Sequence, residues 1–283
     1  MGKLITRIEQ IKKKRPGYGE MLDFYRDIKE AQGKIEPTVK TGPIRLNPGW
    51  KDSLIREGLP LIEKQNFPLD LEAFSNLFQS LCTIAKGATP LMAEGVNKIE
   101  EALDKKTMDM KQLLQHGFNE KKIEETADQL GLDKKTFLFL ILNSIKPSID
   151  ASVEILRPEL DVETWLKGYC PVCGSLPCLS LLREETGKRY LICSFCGDQW
   201  RIDRLCCPFC NNNEQGSLHY LYAEDEESHR VDLCEKCRQY IKTIDLRKTE
   251  ISDPFLEDLA TLHLDLLASQ KGYQRPVPMV WTT

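Results

Sequence analysis

Eight cysteines arranged as four Cys-x-x-Cys pairs dominate the chemistry this chain can do. The pairs are Cys170/Cys173, Cys193/Cys196, Cys207/Cys210 and Cys234/Cys237, all within Tyr169–Arg238. Two cysteines separated by two residues can turn both sulfurs inward on one tight loop. Two such loops facing each other make a tetrahedral tetrathiolate site, with metal–sulfur bonds of about 2.3 Å for zinc. Four loops therefore imply two sites. Gly174 and Gly197 follow the first two pairs and suit the positive φ that such a loop needs after its second ligand. Asn211 after the third pair tolerates the same conformation, and Arg238 after the fourth fits it less well.

Four pairs with 19, 10 and 23 residues between them are a far stronger signal than one. A disulfide framework belongs to short exported chains, whereas this one is long and begins at Met1–Arg15 with mixed charged and aliphatic residues rather than an export signal. A thioredoxin-like redox motif needs one pair entering a helix of a βαβ unit. A ferredoxin-type cluster crowds its cysteines into one run. Neither describes these pairs. Local pairing costs the least loop entropy. It puts Cys170, Cys173, Cys193 and Cys196 on one ion and Cys207, Cys210, Cys234 and Cys237 on the other. Crossed pairing, first loop with third and second with fourth, is the alternative. Cys178 is too far from Cys173 to belong to its loop, while Cys206 adjoins Cys207 and competes with it in a shifted register. Both are read as packing residues. So is Cys82, since free cysteine packs as a small hydrophobe. His219 and His229 are spare candidates for sites that four thiolates already fill.

The elements that must hold these loops are strands. Leu179–Arg183, Arg189–Cys193, Gln199–Arg204, Ser217–Tyr222, His229–Leu233 and Tyr240–Asp245 each lie beside a pair, and Gly187 marks a hairpin. Loop, hairpin and loop thus occur twice. Before them the pattern is helical: Gly2–Lys14, Tyr18–Gln32 ended by Gly33, Leu69–Ile84, Pro90–Leu103, Met108–His116, Asn119–Leu130 and Lys134–Ser144, with Pro147 and Pro158 as breaks. Lys34–Trp50, rich in Pro and Gly, reads as an extended connection with Trp50 as an anchor. Pro254–Gln270 is a last helix with Phe255, Leu259, Leu262, Leu266 and Leu267 on its apolar face, and a Pro-rich tail runs past Trp281.

Hydrophobic residues make up 41% of the chain and charged residues 29%, a soluble globular balance with no membrane span. Reduced thiols suit the cytoplasm. Leu166–Lys248 carries twelve Lys/Arg against twelve Asp/Glu, with an acidic run at Glu224–Glu227. That balance speaks against a nucleic-acid-binding zinc ribbon, the main rival function, which usually shows a basic stripe. A hydrolase or transferase with structural zinc is the other rival, and it lacks a visible nucleophile or acid pair.

Several phrases of the sequence resemble the FdhE family of formate dehydrogenase accessory proteins. They are Cys170–Ser175, Arg189-Tyr190-Leu191 running to Cys193, and Trp200 after the second loop. Leu218-His219-Tyr220, Tyr240-Ile241-Lys242, Asp258–Leu262 with Leu264-Asp265, and Gly272-Tyr273 follow in order. The resemblance spans Gly168–Tyr273, and the helical half is similar only in length and character. It implies an α+β multidomain protein: a helical domain (1–165), two small rubredoxin-like or zinc-ribbon-like metal modules (166–204 and 205–283), and a C-terminal helix in the second. It also implies iron rather than zinc in the modules, although tetrathiolate geometry accepts either. The implied function is that of a non-enzymatic, cytoplasmic maturation factor that binds the catalytic subunit of formate dehydrogenase. The metals would then serve as folding staples or, less simply, pass an electron.

Overall fold

The structure is a computed structural model that describes residues 1–44, 57–116, 119–160, 165–224 and 226–277. Trp50, Asp225 and Trp281 lie outside the described residues, as does the part of the Lys34–Trp50 connection beyond residue 44. The chain forms two compact units. One takes residues 1–44 with 64–154, and the other takes 57–63 with 155–277.

The first unit is helical. Its elements are α1 (Gly2–Lys14), α2 (Gly19–Ile35), α3 (Leu71–Lys86), α4 (Pro90–Asp104), α5 (Met110–His116), α6 (Glu120–Leu130) and α7 (Lys134–Leu156). Side-chain caps fix several starts. Asp70 accepts from the backbone N–H of Glu72 and Ala73, Thr89 from Met92, and Asn119 from Lys122. Such caps satisfy N–H groups that the first helical turn leaves without partners. Gly131 closes α6 at φ 63°. Ile8, Leu22, Tyr25, Ile28, Phe74 and Leu77 are buried at the positions their helical spacing requires. Phe24 of α2 stacks on Phe139 of α7 at 5.7 Å.

Two helices run further than the sequence suggests, and one side chain accounts for the longer extension. α2 passes through Gly33, and α7 passes through Pro147. Proline has no N–H for the carbonyl four residues earlier, here that of Asn143. The buried amide of Gln32 fills the gap, its Nε2 donating to Asn143 O at 3.0 Å. A helix that sequence rules would break is thus completed from another helix. Replacing Gln32 by leucine should destabilise this unit by about 1–3 kcal/mol, because a buried carbonyl loses its donor. The check is the urea midpoint of helical circular dichroism, and a midpoint unchanged from the parent would refute this role for Gln32.

The second unit is built on one six-stranded sheet. Its strands are β1 (Pro177–Arg183), β2 (Lys188–Cys193), β3 (Gln199–Ile202), β4 (Leu218–Tyr222), β5 (His229–Cys234) and β6 (Gln239–Asp245). The order is β3-β2-β1-β6-β5-β4. Neighbours pair antiparallel except β1 and β6, which run parallel with Leu179 opposite Lys242 and Leu181 opposite Ile244. The two three-stranded meanders are therefore joined edge to edge into one mixed sheet.

Two helices, α8 (Pro254–Ala260) and α9 (Leu262–Gln270), stand where a single helix is expected. The break is at Thr261, whose hydroxyl bonds back to Glu257 O at 2.8 Å. Lys242 Nζ meanwhile takes the carbonyl of Asp258 at 2.8 Å. The break also changes which face is buried. Leu264 and Ala268 pack with Val231, Leu233, Tyr240 and Tyr273. Leu266, expected on the apolar face, is 64% exposed, and Leu267 is exposed too.

Candidate metal centres

Each Cys-x-x-Cys pair is a tight loop of the same construction. The N–H of Gly174 bonds to Cys170 O, that of Gly197 to Cys193 O, that of Asn211 to Cys207 O and that of Arg238 to Cys234 O. All four residues after the pairs have positive φ, from 56° to 76°. Arg238 adopts the left-handed conformation despite its side chain. Its guanidinium lies 4.1 Å from the ring centroid of Tyr273 and donates to Lys271 O at 2.8 Å.

The strands bring the loops together in local pairs. Cys170, Cys173, Cys193 and Cys196 form one group and Cys207, Cys210, Cys234 and Cys237 the other, with all sulfurs of a group within 4.8 Å of one another. In the first, Cys170–Cys196 is 3.6 Å, Cys173–Cys193 is 3.4 Å and Cys173–Cys196 is 3.6 Å. In the second, Cys207–Cys237 is 3.7 Å and Cys210–Cys234 is 3.6 Å. A tetrahedron with 2.3 Å metal–sulfur bonds has edges of about 3.8 Å, so both groups have the size of a tetrathiolate cage. The sulfurs are too far apart for disulfides, which need about 2.05 Å. Two groups of four cysteines could thus bind metal ions.

The groups differ in exposure. All four cysteines of the first are buried, whereas Cys210 and Cys237 of the second are half-buried. Burial pushes the Cys170, Cys196 and Cys207 thiols up, so without a cation these sulfurs hold their protons. Burial works against the Cys234 thiolate as well, yet Cys234 is held down to about 7, because the backbone N–H of Cys237 and the Asn212 amide favour its charged form. A divalent cation would supply the missing charge and displace the protons.

The surroundings hold the cages from outside. Residues 57–63 lie on the first loop, where Leu61 N–H bonds to Pro171 O and Ile62 N–H to Val172 O, both at 2.9 Å. A side chain at Gly168 would put its Cβ 1.7 Å from Pro208 O, so glycine there lets the third loop approach closely. Trp200 anchors the approach to the first loop, its indole N–H donating to Lys167 O at 2.8 Å.

The other candidates sit elsewhere. Cys178 lies in the apolar cluster of the sheet with Leu179, Leu181, Ile192 and Ile244. Cys206 faces Cys207 O at 3.5 Å and belongs to neither group. Cys82 is buried on α3, and burial pushes its thiol up to about 12. His219 is exposed on β4. His229 lies between Ser228 Oγ at 3.0 Å and Glu257 Oε2 at 3.1 Å.

Sequence reasoning did not single out a buried ionic cluster beneath α8 and α9. Lys242 Nζ lies 2.6 Å from Asp258 Oδ1 and 2.6 Å from Asp265 Oδ2. Arg275 reaches Asp258 at 3.0 Å, and the Tyr240 hydroxyl donates to Asp265 at 2.8 Å. The seven-residue spacing of Asp258 and Asp265, with Thr261 between, was the available signal, because it places acids on the face that packs on the sheet.

Comparison with known proteins agrees with this arrangement. Residues 169–204 match the model of the FdhE central domain and residues 205–280 that of the FdhE C-terminal domain. An FdhE homolog from Aquifex aeolicus is 29% identical over 273 residues, 95% of this chain and 90% of its own. One from Haemophilus ducreyi is 28% identical over 77% of this chain and 68% of its own. Protein FdhE of Escherichia coli is 37% identical over 110 residues, 38% of this chain and 35% of its own. The crystal structure of the FdhE protein from Pseudomonas aeruginosa shares the fold, with a TM-score of 0.73 at 20% identity, covering 99% of this chain and 94% of that one. With helical unit, mixed sheet and paired tetracysteine loops all in place, residues 169–280 match the FdhE central and C-terminal domains, and the chain as a whole is similar to FdhE proteins.

Proposed function

We propose that this protein is a cytoplasmic accessory factor for the maturation of formate dehydrogenase, that it binds the enzyme's catalytic subunit, and that it is not itself an enzyme. The observation that carries the reading is the pair of tetracysteine groups, set in a chain that is similar to an FdhE homolog over nearly its whole length. Cys170, Cys173, Cys193 and Cys196 hold one ion, and Cys207, Cys210, Cys234 and Cys237 the other. Iron is the metal that the family resemblance favours, and the same cages accept zinc. Each bound ion supplies charge that fixes two loops, and a rigid loop loses little entropy when it binds a partner. No described helix is long and apolar enough to cross a membrane.

The test is genetic. Deleting the gene in a host that makes a formate dehydrogenase, with no related gene present, should reduce formate oxidation to background. The full chain should restore it, and residues 1–165 or 166–283 alone should not. Normal formate oxidation in the deletion strain would remove the maturation reading. Full rescue by either half would show that the other half is dispensable for maturation.

A further inference from the structure

The two cages differ in what covers them. In the first, no cysteine is more than 5% exposed, whereas Cys210 and Cys237 of the second are half-buried. The cover of the first comes from the helical half of the sequence, from residues 57–63 between α2 and α3. They cross the first loop as a strap fastened at three points. The Tyr169 hydroxyl donates to Gly58 O at 2.7 Å, while Leu61 N–H bonds to Pro171 O and Ile62 N–H to Val172 O, both at 2.9 Å. Pro171 and Val172 are the two residues between the ligands Cys170 and Cys173, so the strap rests on the metal loop itself. Leu61 and Ile62 are buried, and the ring of Pro60 packs over Gly174, where a Cβ would stand 3.2 Å from Pro60 Cγ.

The second cage is supported but not strapped. Gly168 lets Pro208 approach, and Gln274 N–H bonds to Arg238 O at 2.9 Å, yet these contacts leave Cys210 and Cys237 half-buried. Cys207 and Cys234 also line an open groove. A metal bound by four thiolates leaves by stepwise replacement, each sulfur giving way to an atom of an incoming ligand. At Cys210 and Cys237 such a ligand has access in the folded protein. At the first cage it must wait for a local opening, whose free energy includes the two backbone bonds of the strap and the burial of Leu61 and Ile62.

We propose that residues 57–63 lock the first cage, which keeps its ion, and that the unstrapped second cage is the centre that exchanges its ion with a thiol- or nitrogen-bearing ligand from outside. The ion passes over as a divalent cation with no change of oxidation state. The two cages thus do different work: the first holds its end of the sheet permanently, and the second is loaded and emptied separately. The inference rests on the eight cysteines as ligands and not on any role with formate dehydrogenase.

The test uses the full chain loaded with zinc and mixed with excess pyridylazoresorcinol, a chelator that colours on binding the ion. Release should be biphasic, one ion leaving about tenfold faster than the other or more, the scale of a local opening. Labelling with N-ethylmaleimide in parallel, quenched at intervals and mapped by peptide mass spectrometry, assigns the phases. Cys207, Cys210, Cys234 and Cys237 should be labelled with the fast phase, and Cys170, Cys173, Cys193 and Cys196 with the slow one. Ile62→Pro, which removes the donor to Val172 O, should speed the slow phase about tenfold and leave the fast phase unchanged. Tyr169→Phe, which loses only the bond to Gly58 O, should speed the slow phase less, in the same direction. Neither residue is a ligand, and the labelling order is read on the parent chain, so it stands whether or not Ile62→Pro folds. Release in a single phase, labelling of the first cage before or together with the second, or strap variants that change both phases or neither would overturn the proposal. Normal formate oxidation in the deletion strain removes the maturation reading and leaves the release kinetics as they are.

Discussion

Cys170→Ser protein should emerge from metal-replete expression with one metal equivalent fewer than the parent, and with the sheet around the first two loops open to exchange. Cys170 sits at the back of a buried cage, with Cys196 at 3.6 Å and almost no exposure of its own. A serine hydroxyl there is a poor ligand for a thiophilic ion, and the three remaining sulfurs are left in a site whose burial disfavours their charge. Structural tetrathiolate sites contribute roughly 10 kcal/mol or more of apparent binding free energy, which exceeds the net stability of most small domains. The damage should reach residues 57–63, whose backbone bonds to Pro171 and Val172 depend on the loop. Because β1 pairs with β6, it should also weaken the β1–β6 seam. Cys234→Ser should remove the other ion. Cys178→Ser and Cys206→Ser should leave both, and metal loss from either would mean that the assigned ligands are wrong.

The same cages should release metal as pH falls. In the first group burial raises the thiols of Cys170 and Cys196, so protons bind there readily once the ion leaves. Metal binding therefore displaces protons, and affinity declines as their concentration rises. Elemental analysis and amide exchange on each variant check these expectations together. The helical unit should keep its protection throughout.

Features set by local chemistry were legible in the sequence. The four loops could be read because ligand spacing is a local constraint, and the six strands because each borders a loop. The start of α6 at Asn119 and its end at Gly131 follow from capping alone. What remained hidden depends on distant partners. Pro147 reads as a break until Gln32, 111 residues before Asn143, supplies the donor that the Asn143 carbonyl lacks. The parallel β1–β6 seam joins residues about sixty positions apart, and neither strand carries a mark of the other. The single C-terminal helix failed for a similar reason. Its leucine spacing is good, but Thr261 bonds back to Glu257 and Lys242 of β6 takes a carbonyl near the break, so the leucine stripe does not set the buried face.

Lys242→Met should be the most damaging substitution outside the metal cages. Lys242 Nζ is buried between Asp258 and Asp265 at 2.6 Å each and also caps the carbonyl of Asp258. Taking it away leaves two carboxylates that, among the described residues, share Arg275 and the Tyr240 hydroxyl. Removing one member of a buried ion cluster typically costs about 3–5 kcal/mol, because a desolvated charge is left behind. The loss should fall on the contact between the sheet and α8–α9, and on the segment Gly272–Arg275, whose Gln274 N–H bonds to Arg238 O. The double variant Lys242→Met/Asp265→Leu should be less destabilised than the sum of its single changes, since it removes the orphaned charge together with its partner. Denaturant unfolding followed by tryptophan fluorescence, with metal content measured alongside, separates this cluster from the cages. A loss under about 1 kcal/mol in Lys242→Met would show that water or rearrangement satisfies the acids, and that the cluster does not hold the C-terminal helices to the sheet.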